Sequence, residues 1–242
     1  MSSVFTAFCF IKTVSGNDKF LTGTAVYRVT NDENEFRELT YKGFTGNSET
    51  LIIDFEKNSI VLMIGRYVYH QNSEYLSLIQ TIPLSSPQHD STCAPEDLPL
   101  AFPLLLYTAP AITNSYKFND TIGRQSFMLS KKLYNPVTDQ KAIESDVIVS
   151  YTNANGRYDS LKESLKKSVI SAVGRLKLTS NSKIPHIISS EIEWSYAAND
   201  LKSSNKPSIK SKELNTQLDL IEEHTSSDKP LATNLKDLAD QI

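Results

Sequence analysis

The sequence predicts a mainly β protein built from two copies of one small barrel plan, followed by a polar tail. Three observations carry this. Runs rich in Val, Ile, Phe, Thr and Tyr recur about every ten residues, with polar turns between them and no long helical stripe. The run IVLMIGRYVYH at 60–70 places one of only 8 glycines inside a strand, and VISAVGRLKL at 169–178 repeats the phrase. Between 83 and 110 the texture changes: Pro83, Pro87, Pro95, Pro99, Pro103 and Pro110 are six of the ten prolines in the chain.

In chain order, VFTAFCFIKT and FLTGTAVYRVT read as strands joined by the turn residues SGND. ELTYKGF, TLIIDF, IVLMIGRYVYH and YLSLIQTIPL follow, separated by the turns GNSE, EKNS and QNSE. Such a series of short strands argues for a barrel or sandwich over residues 1–84. Proline fixes φ and removes a donor, so residues 85–110 read as an extended linker, with the apolar AFPLLLY packing on a neighbour. A second strand-rich segment, 111–198, contains SYKF, RQSFMLSKKLY, SDVIVSYTN, SVISAVGRLKL and IPHIISSEIEWSY. Within it YDSLKESLKKSV has Leu161 and Leu165 four apart, the spacing of a short helix.

Residues 199–242 read as a polar, flexible tail rich in Ser, Lys and Glu. Leu231, Leu235, Leu238 and Ile242 follow helical spacing in it, a stripe that would dock on a partner protein or cover the protein's own core.

Composition bounds the function. With 39% hydrophobic and 22% charged residues the chain is ordinary for a soluble globular protein. The apolar start, VFTAFCFI, is too short for a membrane span and lacks the positive flank of a signal peptide. Cys9 and Cys93 offer at most one disulfide and read as reduced thiols, so an intracellular location, nuclear or cytoplasmic, is expected over secretion. The net charge of −3 conceals an asymmetry: residues 1–112 carry 7 basic against 12 acidic side chains, residues 113–186 carry 12 against 6, and residues 187–242 carry 6 against 10. A basic middle between acidic flanks points to a local anion-binding face, although paired charges on a solvated surface give the same count.

The two glycine runs align further. Before each lies a turn with lysine (Lys57; Lys166 and Lys167), and after each come arginine, a short strand, a polar turn and a closing apolar strand. This order resembles the five-stranded Greek-key barrel of the oligonucleotide/oligosaccharide-binding (OB) family. The second copy, SLKKSVISAVGRLKLTSNSKIPHIISSEIEWS, is the closer match and looks like the latter half of single-stranded-DNA-binding OB modules. The resemblance implies two OB-like barrels in tandem. The glycines are then read as sites of a bulge or kink that closes the barrel. By strand alternation Val169, Ser171, Val173, Arg175 and Lys177 share one face, opposite Ile170, Ala172, Leu176 and Leu178.

Single-strand binding needs cations along the phosphates and exposed rings for the bases. The resemblance places the ligand on the second and third barrel strands. The expected nucleic-acid-binding residues are Lys131, Lys132, Tyr134, Tyr151, Arg157, Tyr158, Arg175 and Lys177, with Trp194 and Tyr196 closing the barrel. A strand tyrosine is, however, more often packing than platform. The first copy, with DENEFRE, is acidic and reads as a protein-contacting or shielding barrel. No G-x-S-x-G, P-loop, H-E-x-x-H or G-x-G-x-x-G occurs, and His70, His89, His186 and His224 lack metal-ligand spacing. No enzyme activity, catalytic residue, cofactor, metal or membrane association is therefore expected. Three functions compete: single-stranded nucleic-acid binding through the second barrel, which leads; an adaptor whose barrels and tail dock partner proteins; and, last, an enzyme without a recognised motif or a carbohydrate binder.

Overall fold

A computed structural model of the chain describes residues 3–29, 35–85, 93–119, 123–166, 168–178 and 184–196. The chain divides into a compact unit, Met1–Ala197, and the remainder, Ala198–Ile242. The stripe Leu231, Leu235, Leu238 and Ile242 lies outside the described residues.

Outside residues 104–110, the strands form where the alternating runs predicted them. In the first half they are β1 (Ser3–Asn17), β2 (Phe20–Arg28), β3 (Phe36–Phe44), β4 (Leu51–Ile52), β5 (Ile60–His70) and β6 (Ser73–Ser85). The second half adds β7 (Leu104–Pro110), β8 (Lys117–Asn119), β9 (Arg124–Asn135), β10 (Gln140–Thr152), β11 (Ser168–Lys177) and β12 (His186–Tyr196). One α-helical turn, α1 (Leu161–Ser164), precedes β11, where the paired leucines predicted it. Among the described residues no helix is long and apolar enough to cross a membrane.

Pairing closes two barrels. In the first the order β2-β3-β6-β5-β1 returns on itself because β1 also pairs β2. β1 serves both neighbours by a register shift between Ile11 and Thr13: its first half pairs β5 and its second half β2. In the second the order is β7-β11-β12-β10-β9, and closure comes from the bridge between Ala111 and Leu129. The third and last barrel strands run parallel in each copy, β3 with β6 and β10 with β12, and every other barrel pairing is antiparallel. That connectivity is the OB plan twice.

Residues 104–110 correct the reading of 85–110 as linker throughout. They form the first strand of the second barrel, with Leu105, Tyr107 and Ala109 buried and Leu104 exposed. Proline is tolerated because Pro103 precedes the strand and Pro110 ends it. β7 also pairs β1, so the two barrels share one continuous sheet.

The glycine echo is the symmetry of that sheet. Phe5 pairs Gly65 on one side and Leu105 on the other, and Leu105 pairs Gly174. One rung thus reads Gly65–Phe5–Leu105–Gly174, with a pseudo-dyad between β1 and β7. Beside each glycine the neighbouring strand bulges: the register slips between Ile64 and Gly65 on β5 against β6, and between Val173 and Gly174 on β11 against β12. A Cβ at Gly65 would sit 2.5 Å from the Ser77 carbonyl oxygen, and one at Gly174 would sit 2.1 Å from that of Ile188. Glycine is required by this close approach and not by φ, which is positive at neither residue.

The interior is one cluster running through both barrels. Phe5 stacks on Tyr67 at 5.5 Å and meets Tyr27 edge-on at 5.2 Å. Glu74 is buried beneath them: Tyr27 Oη donates to its Oε2 at 2.6 Å, Tyr67 Oη donates to the same oxygen at 3.1 Å, and Arg37 Nε donates to Oε1. Burial, reinforced by the Glu74 charge, holds both phenols protonated far above the usual tyrosine range.

Candidate nucleic-acid interface

Alternation decides which residues reach the outer faces. On β9 the buried positions are Phe127, Leu129, Lys131 and Asn135, and the outward ones are Arg124, Ser126, Met128, Ser130, Lys132 and Tyr134. The two adjacent lysines therefore point opposite ways. Lys132 is exposed beside Glu144, its partner in register. Lys131 is turned inward: its Nζ lies 3.9 Å from the Tyr107 ring centroid and donates to the Thr108 carbonyl at 3.2 Å. It is 9% exposed and offers nothing to a phosphate outside.

Burial, and then the charge of Arg66, bring the Lys131 ammonium down to about 8. The unfolded chain keeps this proton to about pH 10.4. The fold thus binds fewer protons between those values, and the Lys131 contribution to stability rises with pH from 8 upward. Lys131→Met is expected to flatten the rise between about pH 8 and 10, read as urea midpoints against wild type. An equal rise in the variant would refute the assignment.

Tyr151 and Tyr158, expected as base platforms, are 3% and 8% exposed. They belong to a chain of ring contacts, Phe127–Tyr151 at 6.1 Å, Tyr151–Tyr158 at 5.3 Å and Tyr158–Trp194 at 6.4 Å. Tyr151 is on the inward face of β10, and its hydroxyl donates to Gln125 Oε1 at 2.6 Å. The segment carrying Tyr158 folds back against β12, which is what buries both rings. Arg157 is exposed but ion-paired with Glu191 on β12. Arg175 is half-buried, its guanidinium 4.2 Å from the Phe102 ring centroid.

Tyr134 keeps an exposed ring, with its hydroxyl donating to Asp139 Oδ1 at 2.9 Å. Lys177 is exposed at the end of β11, and the expected alternation of that strand holds: Ile170, Ala172, Leu176 and Leu178 are buried. Three cationic or titratable residues not anticipated join this face. Lys117 on β8 lies opposite Ser126, Arg124 opens β9, and His186 opens β12 opposite Lys177 and Ile148. Arg124 was legible: counting in twos back from Lys132 along RQSFMLSKKLY reaches it.

The first barrel carries the aromatic counterpart. Phe20 on β2 and Phe44 on β3 are opposite in register, and Lys42 Nζ lies 5.7 Å and 5.3 Å from their ring centroids. Phe44 is 52% exposed. Farther along the same face Arg28 lies over Phe36 at 4.9 Å. Superposing the registers on Gly65 and Gly174 matches Tyr75 with His186, Lys42 with Ser150, Phe20 with Arg124 and Phe44 with Thr152. Three of these positions are thus aromatic in the first copy and cationic, titratable or polar in the second, and the fourth is Lys42 against Ser150.

No family model and no curated protein matches the chain. Among solved structures, the wild-type single-stranded DNA binding protein from Thermus aquaticus aligns with a TM-score of 0.47 and 11% identity, over 86% of this chain and 98% of that one. A deletion mutant of the same protein aligns with a TM-score of 0.45 and 12% identity, over 84% of this chain and 98% of that one. The barrels are assigned on strand pairing, independently of this likeness.

Proposed function

We propose that the chain binds single-stranded nucleic acid along the outer faces of β2–β3 and β9–β10. Bases stack on Phe20 and Phe44, with Tyr134 a further ring, and Lys117, Arg124, Lys132 and Lys177 meet the phosphates. The observation that supports this best is the matched pair of faces. Both lie on the barrel strands that OB folds use for ligands, and between them they supply the two chemistries a single strand needs. Lys42 held between two rings fits the same purpose, because a base on Phe44 leaves its phosphate within reach of the ammonium. In this reading the first barrel is a stacking surface despite its acidic composition.

The test is fluorescence anisotropy with a labelled oligonucleotide of about 30 nucleotides at about 50 and 200 mM salt. Salt-sensitive binding is expected. Phe20→Ala with Phe44→Ala should weaken it by roughly tenfold or more at both salt concentrations. Arg124→Gln with Lys177→Gln should weaken it and lower the salt slope by about two. Absence of binding to DNA or RNA strands at low salt would overturn the reading. A protein-docking role would then lead, favoured by Leu51, Ile53, Ile79, Ile82 and Leu84, which leave β4, β6 and the turn after β4 with exposed apolar side chains.

A further inference from the structure

On the second barrel's outer face one side chain differs in kind from the cations around it. His186 opens β12 and is half-buried. Lys177 is its neighbour across β11, and Ile148 its neighbour across β10. Ser150, two residues along β10, shares a hydrogen bond with His186 Nε2. On β12 itself Ile188 follows on the same face, and Arg124 of β9 acts on the ring from beyond Ser150. Asp146 of β10 lies two residues before Ile148, as close along the strand as Ser150 on the other side, and with Glu144 lines a cavity shared with Ile184, Tyr69 and His70. The imidazole thus has Lys177 beside it on β11 with Arg175 two residues before, Arg124 beyond Ser150, and Asp146 as its nearest acid on β10.

We infer that Arg124, Lys177 and His186 form a phosphate-binding subsite in which His186 takes up a proton as the phosphate binds. This rests on the proposed single-strand binding and adds its regulation by pH. Without ligand, burial and then the charges of Arg124 and Lys177 hold the imidazole below its ordinary range, so it is neutral at pH 7. A phosphate diester placed among the three cancels the repulsion that keeps the proton off. The protonated ring then donates a charge-assisted hydrogen bond to a phosphate oxygen. By linkage, a ligand that raises a pKa binds more tightly as pH falls. Ser150 keeps the ring oriented in either state, since its hydroxyl both donates and accepts.

The experiment is oligonucleotide affinity at about pH 5.5 and 7.5, at fixed salt, for wild type and His186→Gln. Glutamine keeps a partner for Ser150 but carries no titratable proton. Wild type is expected to bind roughly fivefold tighter at the lower pH, with a change of about twofold or less in the variant. In parallel, the His186 ring signal of the wild-type protein is titrated by NMR with and without the oligonucleotide. Its midpoint should move up by about one pH unit on binding, the shift that produces a gain of roughly fivefold between those two pH values. Binding that is equally pH-dependent in both proteins, or an imidazole midpoint unmoved by the strand, overturns the inference and leaves strand binding standing. Absence of binding at either pH instead removes the reading on which it rests.

Discussion

Replacing Glu74 by alanine is expected to destabilise the protein by about 4 kcal/mol, because one buried carboxylate satisfies three donors. Its side chain is fully buried, whereas that of Arg37 is 23% exposed. The losses are therefore unequal. Arg37 can swing toward water, so the broken ion pair accounts for the smaller share. Tyr27 and Tyr67 are 1% and 2% exposed and cannot follow; both hydroxyls lose their acceptor in a packed interior. Each stranded phenol costs about 1–3 kcal/mol, to which the vacated volume adds. Glu74→Gln, which keeps an acceptor oxygen, should cost about half as much. Urea unfolding at neutral pH measures both. A loss below about 1 kcal/mol for the alanine variant would show that the network does not hold this end of the barrel.

The second large effect is at the glycine echo. Gly174→Ala is expected to cost about 3 kcal/mol or prevent folding, since the new methyl would sit 2.1 Å from the Ile188 carbonyl oxygen and 2.7 Å from Ser189 Cα. Both are backbone atoms of the bulged neighbour strand, which cannot yield as a side-chain tip does. Gly65→Ala should cost less, because two of its three nearest atoms belong to the Leu76 side chain. Gly46→Ala is the control: its nearest neighbour, Lys19 Cα, is 3.4 Å away, and the change should stay within about 0.5 kcal/mol. If Gly174→Ala and Gly46→Ala melt alike, the bulge is not what the glycine serves.

These two sites also mark how far the chain could be read without its fold. Gly174 was legible because a glycine in an apolar strand is a local anomaly, and its echo at Gly65 supplied a partner. Glu74 was not. Nothing in QNSEYLS distinguishes a turn glutamate from a buried one until Tyr27 and Arg37 arrive on it from other strands. The functional surface divides in the same way. Lys132, Lys177 and Tyr134 keep the exposure expected of them. Lys131 and Tyr151 fail because they fall on the inward faces of β9 and β10, and Tyr158 because its ring packs on Tyr151 and Trp194. Phe20 and Phe44 went unnoticed because neither is conspicuous at the end of its own strand. Only the β2–β3 register sets them side by side around Lys42.

By itself the sequence determined the β class, the position of nearly every strand, the α-helical turn before β11 and the two-copy plan. Each of these depends on a short-range signal, either the two-residue alternation of a strand or the turn chemistry that ends it. The tertiary structure alone decided that residues 104–110 join β1 to make one sheet of both barrels, which outer face is aromatic and which is cationic, and which lysine of an adjacent pair reaches solvent. Those outcomes depend on pairing between segments distant in sequence. Pairing fixes which of a strand's two faces is buried, and composition does not record it.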